Sequence, residues 1–368
     1  MTPERFIAER LRFKGKMAVA ATAISFLVII IAVTVSSGFR SEIRRGLSEM
    51  YGDIVLEGDT VSASDSLLAV ISQTPGVRSA SPAIWRAGIV KKGRDILGVM
   101  VKGVPGRDSS LQVGIPSKLA SAMNLAEGES FQTYFVEERM KIRRFTIREI
   151  YDTPVETDEG LVVLAPLEDM ARLNGWQGSR ASCIEVRLEA EKPTADGLAF
   201  MAGTLSDRSG LSATPVRERF SQLYNWLDLL DFNVIVILAL MTAVAGFNMI
   251  SGLYILLFRN ISTIGILKSL GMADKAIAGV FLRVAARIIA AGMLIGNALA
   301  LLFCLIQGTT RILPLNPENY FLSYVPVRVN VPFILAADAA SFCLIMLLML
   351  IPTLFIAKVD PARSARAE

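Results

Sequence analysis

The sequence predicts an integral membrane α-helical protein with four transmembrane helices and a large extracytoplasmic α+β domain. Three observations predict it. The mean hydropathy of the 368 residues, +0.48, is too high for one soluble domain of this size. Three long runs carry no charge, and a fourth is interrupted only by Asp338. Charge is also divided unevenly: residues 36–231 hold 23 Lys+Arg against 27 Asp+Glu, while the remainder holds 15 against 7. That positive excess flanks the apolar runs, as membrane topology requires, and does not gather in a polar tail suited to nucleic acid.

Residues 1–16 are a basic cytoplasmic segment with Arg5, Arg10, Arg12, Lys14 and Lys16. The first span, 17–37, contains the nineteen-residue uncharged run Met17–Val35. At 1.5 Å per residue it reaches about 28 Å, close to the hydrocarbon thickness. It exceeds the h-region of a signal peptide, so an uncleaved anchor is expected. The second span is 232–258, uncharged throughout. The third, 280–306, holds the uncharged run Ile288–Ile306, and the fourth, 333–356, is interrupted only by Asp338. Between them lie an extracytoplasmic domain (38–231), a cytoplasmic turn (259–279) and an extracytoplasmic loop (307–332). A cytoplasmic tail (357–368) closes the chain. Basic residues set the orientation: Arg259, Lys268, Lys275, Arg283 and Arg287 lie in the second-to-third connection, and Lys358, Arg363 and Arg366 follow span four. Both termini are therefore expected in the cytoplasm. Tyr224, Trp226, Tyr320, Phe321 and Tyr324 suit the headgroup zone at the outer boundaries.

From about 50 to 220, short strand and helix patterns mix without a βαβ repeat, which indicates α+β. Strands are expected at 53–57, 96–104, 131–136, 144–150, 161–164 and 184–188. Helices are expected at 67–71, at 117–125 with Ser117 as N-cap, and at 166–173 ending near Asn174-Gly175. Acids such as Glu137, Glu138, Asp158 and Glu159 read as solvated. No catalytic constellation stands out. Histidine is absent, which removes Ser-His-Asp triads and the common His-bearing zinc sites. Cys183, Cys304 and Cys343 have no metal-ligand spacing, and no P-loop occurs. No catalytic, cofactor or metal site is expected on this chain.

The cytoplasmic turn reads RNISTIGILKSLGMADKAIAG. Ile261, Ile264, Leu267 and Leu270 recur every three residues, a drifting apolar stripe on a short helix. Gly271 suits a helix stop and Asp274 the next N-cap. This helix would expose an apolar edge and Lys268, either lying on lipid or filling a groove on a partner protein. In span three, Gly292, Gly296 and Ala300 form a small-residue stripe suited to close helix packing. Asp338 and Asn248 are polar groups within apolar runs, and Asp338 stands near the start of its span, where it could reach the outer interface.

Several segments together resemble the FtsX/MacB-type ABC-transporter permeases, most closely the lipoprotein-releasing LolC/LolE-like branch. They are IGILKSLG, one span before a large outer domain with three after it, IPSKLASAMNLAEGESF, RRFTIREIYDT, LEDMARLNGW, SCIEVRL, NPENYFLSYVPV and AKVDPARSAR. The resemblance spans the chain and rests on the order of these segments. It implies an outer domain like the MacB periplasmic core, with two subdomains, and a bacterial inner-membrane location with that domain in the periplasm. It implies two copies of a separate ABC ATPase, which would bind ATP and Mg, and a second permease protomer, identical or homologous. The turn would be a coupling helix docking on the ATPase through Ile264, Gly265, Ile266, Leu267, Lys268, Leu270 and Gly271. Ser262 and Thr263 stand where many relatives carry an acid, so an apolar contact is the expectation.

The resemblance further implies a mechanical machine: ATPase closure would drive the helices and move the outer domain. For lipoprotein cargo, handed to a periplasmic acceptor, acyl chains would enter a cavity between spans one and two of the two protomers. Val33, Phe39, Phe232 and Ile235 are apolar enough to line it. The alternatives are a MacB-like efflux permease and an FtsX-like transmitter that activates a cell-wall hydrolase.

Overall fold

The computed structural model describes residues 16–107, 111–135, 140–152, 161–189, 194–316 and 320–357. The acids Glu137, Glu138, Asp158 and Glu159, the basic residues before Lys16 and those of the tail lie outside them. The chain divides into two compact units. One comprises residues 1–40, 226–314 and 324–368, the other 41–225 and 315–323.

The first unit is a helical bundle. Among the described residues, four helices are long and apolar enough to cross a membrane: α1 (Lys16–Tyr51), α7 (Ser221–Arg259), α9 (Asp274–Thr310) and the stretch Val331–Thr353, made of α10 (Val331–Leu348) and the start of α11 (Leu350–Ala357). The helix α8 (Ile261–Ser269) connects α7 to α9. Because lipid provides no hydrogen bonds, backbone groups here must be satisfied within each helix. Two apolar clusters hold the bundle. One joins Phe26 of α1 to Met249 and Leu253 of α7, Val284 and Ile289 of α9, and Ile345 and Met349 near the end of α10. The other joins Ile29, Ile30 and Val33 to Ala300, Ile334 and Ala337.

The second unit is the α+β domain. Its strands are β1 (Ile54–Ser62), β2 (Val77–Lys92), β3 (Asp95–Val104), β4 (Gln112–Pro116), β5 (Ser130–Phe135), β6 (Lys141–Tyr151), β7 (Leu161–Pro166), β8 (Arg180–Leu188) and β9 (Ser212–Pro215). Its helices are α2 (Asp65–Ser72), α3 (Ser117–Ala122), α4 (Leu167–Asn174), α5 (Ala195–Ser209) and α6 (Val216–Arg219). The sixteen-residue β2 organises everything. Its first half, Val77–Ala83, pairs antiparallel with β8, which continues through β1 to the edge strand β9. Its second half, Ile84–Lys92, pairs with β3 and also with β5. The ring β2–β3–β7–β4–β6–β5 then returns to β2, a closed six-stranded barrel. Closure leaves the barrel no free edge, and the open sheet ends in a four-residue strand terminated by Pro215, a short edge that resists further pairing.

One core fills this unit. Val90, Val101, Phe131, Phe145 and Val163 occupy the barrel, while Ile54, Ile184, Ile71, Leu198 and Leu205 are buried where α2 and α5 meet the open sheet. Two expected caps are corrected. Pro116, not Ser117, occupies the N-cap of α3, since the strand runs directly into the helix and Pro supplies the extended backbone. Likewise Ala273, not Asp274, caps α9, and Asp274 stands in the first turn, where its charge complements the helix dipole.

Candidate functional site

The connection between α7 and α9 is built from local signals. Asn260 turns the chain out of α7, its side-chain amide donating to Leu256 O at 2.8 Å. At the far end of α8, Met272 N donates to Leu267 O at 3.0 Å and Gly271 N to Lys268 O at 2.9 Å. This pair of bonds is a Schellman closure, which needs the left-handed backbone that Gly271 adopts at φ +83°. The chain then re-enters the bundle as α9.

Of the seven residues expected at the docking contact, the structure exposes three. Ile266 is 54% exposed, Leu270 is 78% exposed and Gly271 is open. Ile264 and Gly265 are buried, Ile264 within the bundle cluster that includes Leu256, Leu257 and Phe281. Leu267 is half-buried against the same cluster. The three-residue spacing explains the split. Each step of three falls about 60° short of a full turn, so a stripe from Ile261 to Leu270 rotates by roughly half a circle. Ile264 therefore faces the bundle, and the outward edge runs from Ile266 to Leu270, one i,i+4 step. The expected exposure of Lys268 is corrected as well. Its side chain is 11% exposed, and its ammonium lies 2.9 Å from Asp274 Oδ1, bracing the turn from inside.

The small residues of α9 lie against α1. A Cβ placed on Gly296 would come within 2.4 Å of Ala23 O and 2.9 Å of Phe26 Cβ; one on Gly292 would meet Thr22 Cβ at 2.7 Å. Ala300 is fully buried beside Ile29 and Val33. The four residues considered for an acyl cavity separate into two pairs. Val33 is buried among Ile30, Ala300 and Ile334, and Phe39 is buried with its ring edge-to-face on Trp226 at 5.7 Å. Phe232 and Ile235 are more than 60% exposed, on an apolar flank of α7 that also carries Leu229, Val236 and Leu240. No single surface of this chain holds all four.

Sequence reasoning missed three polar arrangements in the bundle. Arg40 of α1 pairs with Asp228 at 2.8 Å and with Asp231, and Ser36 donates to Asp231 at 2.6 Å. This clasp joins α1 to α7 beside the Phe39–Trp226 contact. Gln307, buried near the end of α9, donates to Val325 O at 3.1 Å and accepts from Leu313 N at 3.2 Å, fixing both limbs of the following loop. That loop passes so close to Gly38 that a Cβ there would lie 2.3 Å from Pro326 O. Asp338 is buried, not at an interface, and accepts from Asn297 Nδ2 at 2.6 Å. The signal for it was present, since α10 starts at Val331 and seven residues advance Asp338 about 10 Å along the helix.

In the α+β unit the chemistry is structural. Lys102 and Glu185 form a buried pair at 2.7 Å, with Lys102 also donating to Met50 O and Trp85 Nε1 donating to Glu185 at 3.1 Å. Burial pushes the Lys102 ammonium below its ordinary pKa despite the attraction of Glu185. The neighbouring Cys183 thiol is pushed up to about 12, first by burial and then by the charge of Glu185. Among the described residues no His/Cys/Asp/Glu group is placed to hold a metal ion.

Residues 235–361 match the family model described as FtsX-like permease C-terminal. That segment is an FtsX-like permease C-terminal domain. Relatives extend the similarity to nearly the whole length. The lipoprotein-releasing system transmembrane protein LolC of Xylella fastidiosa (strain Temecula1) is 22% identical, over 97% of this chain and 94% of the relative. LolC of Neisseria meningitidis serogroup B is 21% identical with the same coverage. Among solved structures, the periplasmic region of MacB from Actinobacillus actinomycetemcomitans aligns at TM-score 0.32 and 14% identity, covering 47% of this chain and 92% of that one. The extracellular domain of the transporter YknZ from Gram-positive bacteria aligns at TM-score 0.30 and 10% identity, covering 44% and 97%. The matched segment contains most of α7 together with α8, α9 and α10, while α1 and the strands and helices of the α+β unit precede it in sequence.

Proposed function

We propose that this chain is the permease subunit of an ATP-driven ABC transporter that extracts lipoproteins from the outer leaflet of the bacterial inner membrane. The observation that carries this reading is similarity to LolC proteins over 97% of the chain and 94% of theirs, which includes both the FtsX-like permease domain and the α+β unit. Both termini lie in the cytoplasm, as the basic flanks of the spans favour, and the α+β unit lies in the periplasm. A separate ATPase docks on α8. The exposed Ile266–Leu270 edge fits an apolar groove on that partner, read as i,i+4 anchors. The Schellman closure and the Lys268–Asp274 brace make α8 a rigid handle, so displacement of the ATPase moves α7 and α9 with it.

Work is needed because lipid anchors resist removal. Each acyl CH₂ withdrawn from the bilayer costs about 0.8 kcal/mol. Phe232, Ile235 and the rest of the open α7 flank are the apolar surface on which acyl chains, or a second permease protomer, would lie. The test is reconstitution of the chain with an ABC ATPase that co-purifies with it and an acylated lipoprotein in liposomes. Release of the lipoprotein to a soluble acceptor on ATP addition supports the reading. Transfer of a small solute, or activation of a wall hydrolase without any release, contradicts it.

A further inference from the structure

Asp338 is 5% exposed and is the sole charged-type residue of α10. Its Oδ2 accepts from Asn297 Nδ2 at 2.6 Å, tying α10 to α9. The two remaining oxygens, Asp338 Oδ1 and Asn297 Oδ1, are both buried and neither has a hydrogen-bond partner among the described residues. As a carboxylate, Asp338 has only acceptors to offer, and an amide oxygen is also only an acceptor. Two orphan acceptors belonging to one hydrogen-bonded pair lack the same thing, a donor between them. One proton supplies it.

We propose that Asp338 and Asn297 form a proton-binding site inside the helical bundle, in which the Asp338 carboxylic acid donates to Asn297 Oδ1 while Asn297 Nδ2 donates to Asp338 Oδ2. The result is a neutral two-bond ring that gives each polar atom of both side chains a partner and leaves neither group charged. No cation lies within the apolar runs of the neighbouring helices. The runs 17–39 of α1, 232–258 of α7 and 288–310 of α9 carry no charged residue. Besides Asp338, the titratable groups in these runs and in α10 are Tyr254, Cys304, which contacts Thr34 Oγ1, and Cys343. One turn along α10, Ser341 bonds Thr242 of α7 at 3.0 Å, so those hydroxyls already have each other. A metal cation in the site would need about six oxygen ligands, against the two free oxygens of this pair, so the proton is the ligand that fits. The bond between α9 and α10 then depends on that proton, and ionisation replaces a reciprocal pair with a buried charge.

The experiment uses the full chain in phospholipid nanodiscs. Infrared spectra of wild type and Asp338→Asn are compared at neutral pH. The proposal expects the wild type to show the carbonyl stretch of a protonated carboxylic acid that the variant loses. The variant keeps an amide–amide ring in the same place. A second measurement needs no variant: an apolar carbodiimide, which requires the acid form, is expected to label Asp338 at neutral pH, with the adduct mapped by mass spectrometry. A carboxylate signal from Asp338 under these conditions overturns the proposal, as does a complete absence of labelling or a sodium-dependent shift of the Asp338 band.

Discussion

Lys268 and Asp274 meet across the Gly271 turn, ammonium to carboxylate at 2.9 Å, so the one cation of α8 is committed to its own chain. The residues that α8 and its cap leave exposed, Ile266 and Leu270 among them, are consequently uncharged. Leu270→Asp and Ile266→Asp place a charge where an apolar groove must be filled, and each is expected to abolish co-purification of the ATPase while the permease remains in the membrane. Lys268→Ala removes only the brace and is expected to retain more than half of the association. Pull-down from solubilised membranes measures all three.

Gly296 touches the backbone of α1, and no rotamer choice relieves a Cβ at 2.4 Å from Ala23 O. Gly296→Leu is expected to destabilise the bundle by about 1–3 kcal/mol or more, the usual range for overpacking. A lowered unfolding temperature in detergent is the measurement. The same change at Gly203, whose Cβ position is open, is expected to leave it unmoved.

The buried Lys102–Glu185 pair makes a pH prediction for the α+β unit. The folded pKa of Lys102 lies below the 10.5 of an unperturbed lysine. In the window between the two values the unfolded chain binds more protons than the folded one, so stability rises with pH there. Lys102→Met removes that slope. It also leaves Glu185 buried without its cation, at a cost of roughly 3–5 kcal/mol. Denaturant unfolding followed by the fluorescence of Trp85, which stacks on Tyr51 at 5.1 Å, tests both statements.

Cys183 lies between strands and is 3% exposed, with its thiol held neutral by burial and by Glu185. Alkylation by a soluble maleimide at mildly alkaline pH is expected to proceed only after unfolding. Rapid modification of the folded protein would show that β8 opens locally.

The four spans were legible in the sequence because runs such as Phe232–Phe258 have no soluble counterpart of that length. Helix ends marked by glycine were legible too: Gly175 and Gly271 both take the left-handed backbone. The barrel was not. Its keystone, β2, reads VRSASPAIWRAGIVKK, with Pro82, Arg78 and Arg86 interrupting any alternation. It is a strand because two different sheets pair with its two halves, and such non-local pairing leaves no local mark. β4 and β9 were missed because each is five residues or fewer, too short to show a period of two. In α8 the apolar residues were read correctly as a drifting stripe, yet which of them face outward depends on where the bundle lies. That is tertiary information, and of the seven residues expected at the contact it leaves only Ile266, Leu270 and Gly271 exposed.

The most direct measurement is lipoprotein release from liposomes containing this chain and its ATPase, with and without Leu270→Asp. ATP-dependent release by the wild type, lost in the variant together with ATPase binding, is the predicted result. Release that proceeds without ATPase or nucleotide, or that survives Leu270→Asp at the wild-type rate, would contradict it.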